Sequence, residues 1–195
     1  NLSKKSHFSD TECIFELFNK YKNYDDFIKL FNGHFSVVLY VKKDDSFVFF
    51  RDQMGVKPLY FFNKSKSIFL CSDLRTLVNF KKEKISKENF FEDLVFGGQT
   101  GERTSFSNIY SSLPGFLYLF KNGILKKKKI VSNLNFKTNS IEKIIEKNVK
   151  LQYQTDVHSA ILVSSGIDSR IIRKKINEIG KIDSYTLFSK KLGLD

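Results

Sequence analysis

The segment 163–170, with the sequence VSSGIDSR, has the residue types of a phosphate-binding site. It follows the apolar run AILV at 160–163, which predicts a strand that ends in a serine-glycine turn and leads into a helix. Such a turn aims backbone N–H groups and the positive end of the helix at one point. Asp168 would repel phosphate unless a cation such as Mg²⁺ lies between them; alternatively, it simply caps the helix. The residues alone leave both interpretations open.

Other common nucleotide and metal motifs do not occur in the sequence. The absence of GxxxxGK[ST] and GxGxxG excludes an ordinary P-loop and a dinucleotide-binding Rossmann motif. The histidines and the two cysteines have no ligand spacing, so Cys13 and Cys71 are expected to be reduced thiols of a cytoplasmic protein. No apolar run reaches the roughly 20 residues of a membrane-spanning helix, so no membrane partner is expected.

The net charge of +12 raises the question of a polyanionic partner. Only 5 of the 33 basic residues are arginine, the residue that base-reading proteins favour. The excess of lysine, asparagine, isoleucine and phenylalanine is typical of an AT-rich coding sequence. Compositional drift is therefore the preferred explanation, and a nucleic-acid partner is not expected.

The elements that precede the serine turn fall into two groups. Residues 1–131 predict a strand-rich α+β unit. Its predicted elements are helices at 9–21 and 24–33, a hairpin at 35–50, strands at 59–62 and 68–71, helices that begin near 73 and 86, and a hairpin at 115–131. The apolar strands of the first hairpin are expected to be covered on both faces.

Residues 132–139 are polar and predict a linker. The segment 140–195 then alternates helix, strand, helix and strand, which is the beginning of a parallel α/β sheet. Because two parallel strands cannot bury both faces of a sheet, this second domain is expected to be truncated.

Five short sequence motifs occur in a fixed order over nearly the whole chain. They are SDTE at 9–12, NGHFSVVLY at 32–40, RDQMGVKPLYFF at 51–62, LPGFLYL at 113–119 and TDVHSAILVSSGIDS at 155–169. In order and spacing this set resembles the glutamine-hydrolysing asparagine synthetases, which join a class II glutamine amidotransferase domain to an ATP pyrophosphatase domain.

The resemblance implies a partial αββα glutaminase sandwich of the N-terminal-nucleophile type, followed by the start of a Rossmann-like ATP pyrophosphatase domain. It implies ATP and Mg²⁺ as cofactors, glutamine and aspartate as substrates, and a possible homodimer of the full-length protein. In this family a cysteine thiol releases ammonia from glutamine. ATP adenylates the aspartate side chain, which ammonia then converts to asparagine, releasing AMP and pyrophosphate.

The resemblance also assigns roles to individual residues. Asp10 matches the carboxylate that holds the α-ammonium of glutamine, although a first-turn acid that faces the helix dipole explains it equally well. By the same resemblance, the residues that bind ATP and pyrophosphate would be Val163, Ser164, Ser165, Gly166, Asp168, Ser169 and Ser189. Within this set Asp168 is the expected magnesium ligand, Val163 and Ser189 would contact the adenosine, and Ser165 replaces a glycine of the family pattern.

The N-terminal cysteine nucleophile has no counterpart, because neither Cys13 nor Cys71 occupies its position. The chain is therefore expected to be a fragment that lacks both ends and has no turnover by itself. Two alternatives stay open. One is a related amidotransferase that acts on another carboxylate, such as a sugar acid of a surface polysaccharide or a β-lactam precursor. The other is a degenerate, non-catalytic paralogue.

Overall fold

The computed structural model describes residues 9–21, 23–130, 140–153 and 157–188. The chain divides into two compact units, Asn1–Asn133 and Leu134–Asp195. The predicted linker at 132–139 lies outside the described residues, so its conformation stays a prediction. No helix in the described ranges combines the length and the apolar character needed to cross a membrane.

The first unit alternates helices with antiparallel strands. Its elements are α1 (Asp10–Lys20), α2 (Tyr24–Ile28), β1 (Ser36–Val41), β2 (Ser46–Arg51), β3 (Tyr60–Lys64), β4 (Ser67–Cys71), α3 (Leu74–Lys81), α4 (Lys87–Phe96), β5 (Tyr110–Ser111), β6 (Phe116–Lys121) and β7 (Ile124–Lys129). The strands form one sheet of order β1-β2-β6-β7 and a second of order β4-β3-β5. All pairings in both sheets are antiparallel, which confirms the α+β prediction for this unit.

The core of the first unit follows from the alternation of side chains along β2 and β3. Phe50 of β2 packs edge-to-face on Phe27 of α2, with ring centroids 6.0 Å apart. The neighbouring Phe49 points the other way, where its ring stacks on Tyr118 of β6 at 4.8 Å and contacts Phe61 of β3 at 5.6 Å. The two sheets therefore pack against each other through Phe49, Phe61 and Tyr118.

The outer layers complete this arrangement. Phe62 of β3 clusters with Leu77 of α3 and with Ile109, on the face of the second sheet away from the first. On the other side, α1 packs against the core through the predicted stripe of Ile14, Leu17, Phe18 and Tyr21. The layers thus run from α1 and α2 through the two sheets to α3.

Two predictions about exposed surface and helix length are wrong. Val38 and Tyr40 of β1 are 43% and 51% exposed, because β1 is an outer strand in the described sheet and only one of its faces is covered. The second helix ends at Ile28 instead of near Gly33, because Leu30 and Phe31 donate to the carbonyls of Phe27 and Ile28 and tighten the chain into a turn.

The polar turn after β2 is built around one buried carboxylate. Asp52 is only 2% exposed. Its Oδ1 accepts from the backbone N–H of Met54 (3.2 Å) and Val56 (2.9 Å), and its Oδ2 accepts from that of Lys57 (3.0 Å). The backbone N–H of Asp52 donates to Phe35 O at 3.0 Å, which anchors the turn to the segment before β1. The side chain therefore replaces the water that these turn amides would otherwise bind.

Gly55 in this turn has little room for a side chain. Its φ is +66°, and a Cβ would lie 2.8 Å from Cγ of Pro114 and 3.2 Å from Cζ of Arg51. We expect Gly55→Ala to lower the free energy of unfolding by about 3 kcal/mol, from left-handed strain plus overpacking. Urea unfolding followed by circular dichroism measures the loss.

Gly101→Ala is the matched control for this substitution. Gly101 has a φ of +70°, and apart from its chain neighbours no described group lies within 4 Å of the position that a Cβ would occupy, so only the strain of about 1 kcal/mol applies. Equal losses for the two variants would show that the contact with Pro114 and Arg51 contributes nothing.

The second unit has a short parallel sheet. Its elements are α5 (Ile141–Tyr153), β8 (Ala160–Leu162), α6 (Ile167–Asn177) and β9 (Asp183–Tyr185). β8 and β9 pair in parallel with Ala160 opposite Asp183 and Leu162 opposite Tyr185. Lys175 of α6, almost buried, donates to Glu142 of α5 at 3.0 Å and joins the two helices. The predicted order of helix, strand, helix and strand is confirmed.

Candidate functional site

The serine turn begins where β8 leaves the parallel pair. The backbone N–H of Val163 still donates to Tyr185 O at 2.8 Å, as the last rung of the pairing with β9. From Ser164 to Gly166 the chain turns, and α6 starts at Ile167 with Gly166 as its N-cap residue. Because the turn follows the carboxyl end of a parallel strand, it lies at the edge where open α/β sheets bind ligands.

Hydrogen bonds within the turn are made mainly by two serine side chains. Ser169 Oγ accepts from the backbone N–H of Ser164 at 3.1 Å and lies 3.1 Å from Ser164 Oγ. Ser164 Oγ in turn accepts from the backbone N–H of Gly166 at 3.2 Å. Ser164 and Ser169 thus hold the turn closed, and two of its amides are bonded to hydroxyls, which an incoming anion could displace more easily than a carbonyl of a regular element.

The start of α6 offers further donors. Gly166 provides no side-chain cap, so the first N–H groups of the helix have no acceptor from a capping side chain. Ser165 and Asp168 are both exposed beside this helix start. Within the described residues the carboxylate of Asp168 makes no hydrogen bond or ion pair, so it is not used as a helix cap. The arrangement can accept an anion at the amides and a cation at Asp168.

Gly166 has a specific spatial requirement. Its φ of −65° is one that any residue adopts, so the glycine is not needed for backbone conformation. A Cβ there would lie 3.2 Å from Ser164 Oγ, which is tighter than an ordinary contact. A side chain at 166 would therefore push against the hydroxyl that accepts the N–H of the same residue.

Positive charge continues along α6 beyond the turn. Arg170, Arg173, Lys174 and Asn177 lie on one face of the helix and, with Glu178, line a shallow depression of about 460 Å³. An apolar groove of about 540 Å³ lies elsewhere in this unit, between α5, β8 and α6, and none of residues 163–169 lines it. The polar turn and the basic face are thus separate from the apolar groove.

In the first unit, Asp10 lies in the first turn of α1. The capping box of SDTE is made by two other residues: Ser9 Oγ accepts from the N–H of Glu12 at 3.3 Å, and Ser9 N donates to Glu12 Oε2 at 2.9 Å. The predicted box is therefore confirmed. Asp10 takes no part in it and is exposed.

Some predicted site residues are not tested by this structure. Ser189 lies outside the described residues. No group of three or more histidine, cysteine, aspartate or glutamate side chains that could hold a metal occurs in the described part of the chain. Cys13 and Cys71 are free thiols, both partly buried.

Sequence reasoning missed one polar network in the first unit. The fully buried Tyr118 donates its hydroxyl to Glu102 Oε1 at 2.5 Å and accepts from the backbone N–H of Leu113 at 2.8 Å. Lys127 donates to the other oxygen of Glu102 at 2.7 Å. Burial and the bond to Glu102 together raise the pKa of Tyr118 above its usual range. The three side chains come from separate segments, and no local pattern links them.

The residues of the first unit match a known protein family. A family model described as "Glutamine amidotransferase domain" matches residues 2–131. A probable asparagine synthetase (glutamine-hydrolyzing) of Dictyostelium discoideum is 29% identical over 172 residues, which cover 86% of this chain and 28% of that protein. Asparagine synthetase B of Escherichia coli is 26% identical over 166 residues, covering 84% of this chain and 26% of its own length.

The similarity to solved structures is weaker. The glutamine phosphoribosylpyrophosphate amidotransferase from B. subtilis, complexed with ADP and GMP, covers 98% of this chain and 43% of its own at 13% identity, with a TM-score of 0.43. That similarity is too low to bear on the fold. The chain spans little more than a quarter of the length of the curated relatives named above.

Proposed function

Because the chain belongs to the glutamine amidotransferase domain family, we propose that it is part of an ATP-dependent amidotransferase that moves ammonia from glutamine to a carboxylate. Aspartate is the proposed acceptor, by analogy with the asparagine synthetases that match 84–86% of the chain. The overall reaction would convert aspartate, glutamine and ATP into asparagine, glutamate, AMP and pyrophosphate.

The observation that supports the ATP-dependent step of this reaction is the serine turn at 163–169. Its serine side chains close the turn, the start of α6 has no side-chain cap, and Asp168 stands exposed and unpaired among the described residues. These features suit a polyphosphate that carries a divalent cation better than they suit a simple helix start. We therefore assign the second unit to the beginning of a Rossmann-like ATP pyrophosphatase domain.

The proposed roles at this turn follow from the chemistry of each group. The hydroxyls of Ser164, Ser165 and Ser169 and the amide of Gly166 would donate to pyrophosphate oxygens. Asp168 would hold Mg²⁺, which neutralises phosphate charge as the pyrophosphate leaves. The backbone of Val163, which β9 fixes, would contact the adenosine, and Ser189 is proposed as a second adenosine contact.

In the first unit, Asp10 is proposed to bind the α-ammonium of glutamine. Its exposed position near the helix start is consistent with that role, and the capping box of Ser9 and Glu12 keeps the first turn fixed. We place the reaction in the cytoplasm, where thiols such as Cys13 and Cys71 stay reduced.

The 195-residue chain alone should not release ammonia from glutamine. Hydrolysis of the glutamine amide needs an activated nucleophile. Cys13 lies within α1 and Cys71 within β4, both partly buried, and neither follows the arrangement of an N-terminal nucleophile. A coupled glutamate dehydrogenase assay on the purified chain measures this, with a known glutaminase as positive control. Steady ammonia release that Cys13→Ser or Cys71→Ser abolishes would contradict the assignment.

The overall reaction is tested on the complete protein. Pyrophosphate release should require ATP, Mg²⁺, glutamine and aspartate together. If a sugar acid or another carboxylate replaces aspartate with a higher kcat/KM, the enzyme is a related amidotransferase. Ser165, which replaces a glycine of the family pattern in the turn, makes that alternative worth testing. No pyrophosphate release with any carboxylate would indicate a non-catalytic paralogue.

A further inference from the structure

Three phenylalanine rings surround the ammonium group of Lys81, the last residue of α3. Lys81 Nζ lies 3.2 Å from the ring centroid of Phe69, 4.7 Å from that of Phe62 and 5.2 Å from that of Phe80. All three distances are within the roughly 6 Å at which the face of an aromatic ring attracts a cation. We call these three rings the phenylalanine cage.

The cage is built by the second sheet and by the helix that covers it. Phe62 of β3 is buried and forms the inner wall, Phe69 of β4 is half-buried, and Phe80 of α3, 66% exposed, forms the outer wall. The ring of Phe69 is inclined by 58° to that of Phe62 and by 50° to that of Phe80. Rings inclined in this way line a concave space, and the exposure of Phe80 leaves that space accessible from solvent.

The cage offers the ammonium of Lys81 no hydrogen-bond acceptor. A lysine ammonium has three N–H donors and is strongly hydrated in water. Among the residues that the structure describes, that of Lys81 makes neither a hydrogen bond nor an ion pair, and the side chains of the cage are hydrocarbon only. A cation without N–H donors would therefore suit the cage better than lysine does, because it has no hydrogen bonds to give up on entering.

A quaternary ammonium group also suits the spacing of the rings. Its methyl carbons need about 3.5–4.0 Å from the ring carbons. Its nitrogen would then lie farther from Phe69 than Lys81 Nζ does, at distances closer to those that Nζ keeps from Phe62 and Phe80. Lys81 reaches the cage on a flexible four-carbon stem, so its ammonium can move into solvent while α3 stays folded.

We propose that the phenylalanine cage binds a trimethylammonium group, and that Lys81 occupies the cage in the free protein as an intramolecular competitor. Because the cage is binding-competent only when Lys81 has moved out, the apparent affinity for a ligand is reduced by the fraction of time that Lys81 spends inside. The cage lies in the first unit and uses none of the residues assigned to glutamine or ATP, so the proposal does not depend on the proposed function.

A titration of the 195-residue chain with choline, followed by NMR of the phenylalanine rings, tests the proposal. Choline should shift the ring signals of the cage with a Kd on the order of millimolar. The carbon analogue of choline, in which a tert-butyl group replaces the trimethylammonium group, should shift them much less, because it has the same shape but no charge. A peptide with a trimethylated lysine distinguishes the source of the group: tighter binding than choline would indicate a modified protein as the natural ligand.

Two substitutions separate the cage from its competitor. Lys81→Met removes the resident cation and should bind choline about 10-fold more tightly than the wild type. Lys66→Met is the matched control, because Lys66 is an exposed lysine in the turn before β4, and it should bind like the wild type. Adding Phe80→Leu to Lys81→Met should weaken binding several-fold, and the exposed position of Phe80 makes misfolding an unsuitable explanation.

Two results would overturn the proposal. Equal affinity for choline and its carbon analogue would show that the contact is apolar only and that the rings do not recognise a cation. Failure of Lys81→Met to bind choline at concentrations up to about 100 mM would show that the rings serve only to hold Lys81 against the second sheet. Circular dichroism of each variant confirms that the fold is retained in both comparisons.

Discussion

Asp168→Asn in the complete protein should lower ATP-dependent pyrophosphate release by about 100-fold or more. The proposed magnesium ion would lose its protein carboxylate, while the turn itself should survive, because its closing bonds are made by Ser164 and Ser169. The substitution should lower kcat for pyrophosphate release. Excess Mg²⁺ should restore only a small part of the lost activity. A continuous pyrophosphate assay with saturating glutamine and acceptor measures it.

Ammonia release from glutamine separates this effect from misfolding. It should be nearly unchanged in Asp168→Asn, because Asp168 belongs to the unit that follows the matched glutamine amidotransferase domain. Asp183→Asn is the matched control: Asp183 is an exposed acid at the opposite end of the parallel strand pair and should keep full pyrophosphate release. Full activity of Asp168→Asn would refute the proposed cation site and favour a purely structural turn.

Asp52→Asn should lower the free energy of unfolding by about 3 kcal/mol. The two oxygens of Asp52 accept from three backbone N–H groups, and an amide group can accept only at its single oxygen. At least one buried donor would then face an NH₂ group. Asp26→Asn is the control, since Asp26 is exposed and its ion pair with Lys29 is 3.8 Å long, so it should change stability by less than about 0.5 kcal/mol.

The contribution of Asp52 should depend on pH in a defined direction. Burial alone would raise the pKa of Asp52, but the backbone N–H groups of Lys57, Val56 and Met54 outweigh it and hold the pKa below the usual value. The unfolded carboxyl titrates near pH 3.9, so the stabilisation is complete above about pH 4 and is lost as the pH falls through the lower folded pKa. Urea unfolding of wild type and Asp52→Asn at neutral and acidic pH should therefore give curves that converge towards low pH. A constant difference would refute the role of the ionised carboxylate.

Local signals in the sequence predicted local structure well. The capping box of Ser9 and Glu12 joins residues three apart, and the N-cap residues Asp73 and Ser86 each accept from an amide two or three residues on. Interactions of this range form within one turn of helix, whatever the rest of the chain does. Their residues can therefore be read from the sequence without knowledge of the fold.

The sequence did not predict in the same way which faces of the strands and helices are covered by segments distant in the chain. Apolar residues along β1 predicted a strand, but not that only one side of it is covered in the described sheet. β5 has two residues and exists only because Tyr60 pairs with Ser111 and Phe61 with Tyr110. For α4, apolar spacing indicates a helix but does not tell which side faces solvent, because that depends on polar partners in the segment 99–105.

The serine turn shows the same division between local and distant information. Its sequence predicted a strand at 160–163 followed by a turn and a helix start, and all three are present. The sequence did not predict that the hydroxyls of Ser164 and Ser169 accept from turn amides, since serine side chains can bond either to the backbone or to a ligand. A ligand at this turn would have to exchange with these internal bonds.

The two outer strands of the first sheet have opposite surface character, and this affects how the protein could misassemble. β7 exposes Lys126 to Lys129 along one edge, whereas β1 presents the uncharged segment Ser36–Val41 at the other. Amyloid growth requires strands to stack without limit on both sides, and a row of lysines resists such stacking. Fibril extension across the described sheet should therefore stop at the lysine edge.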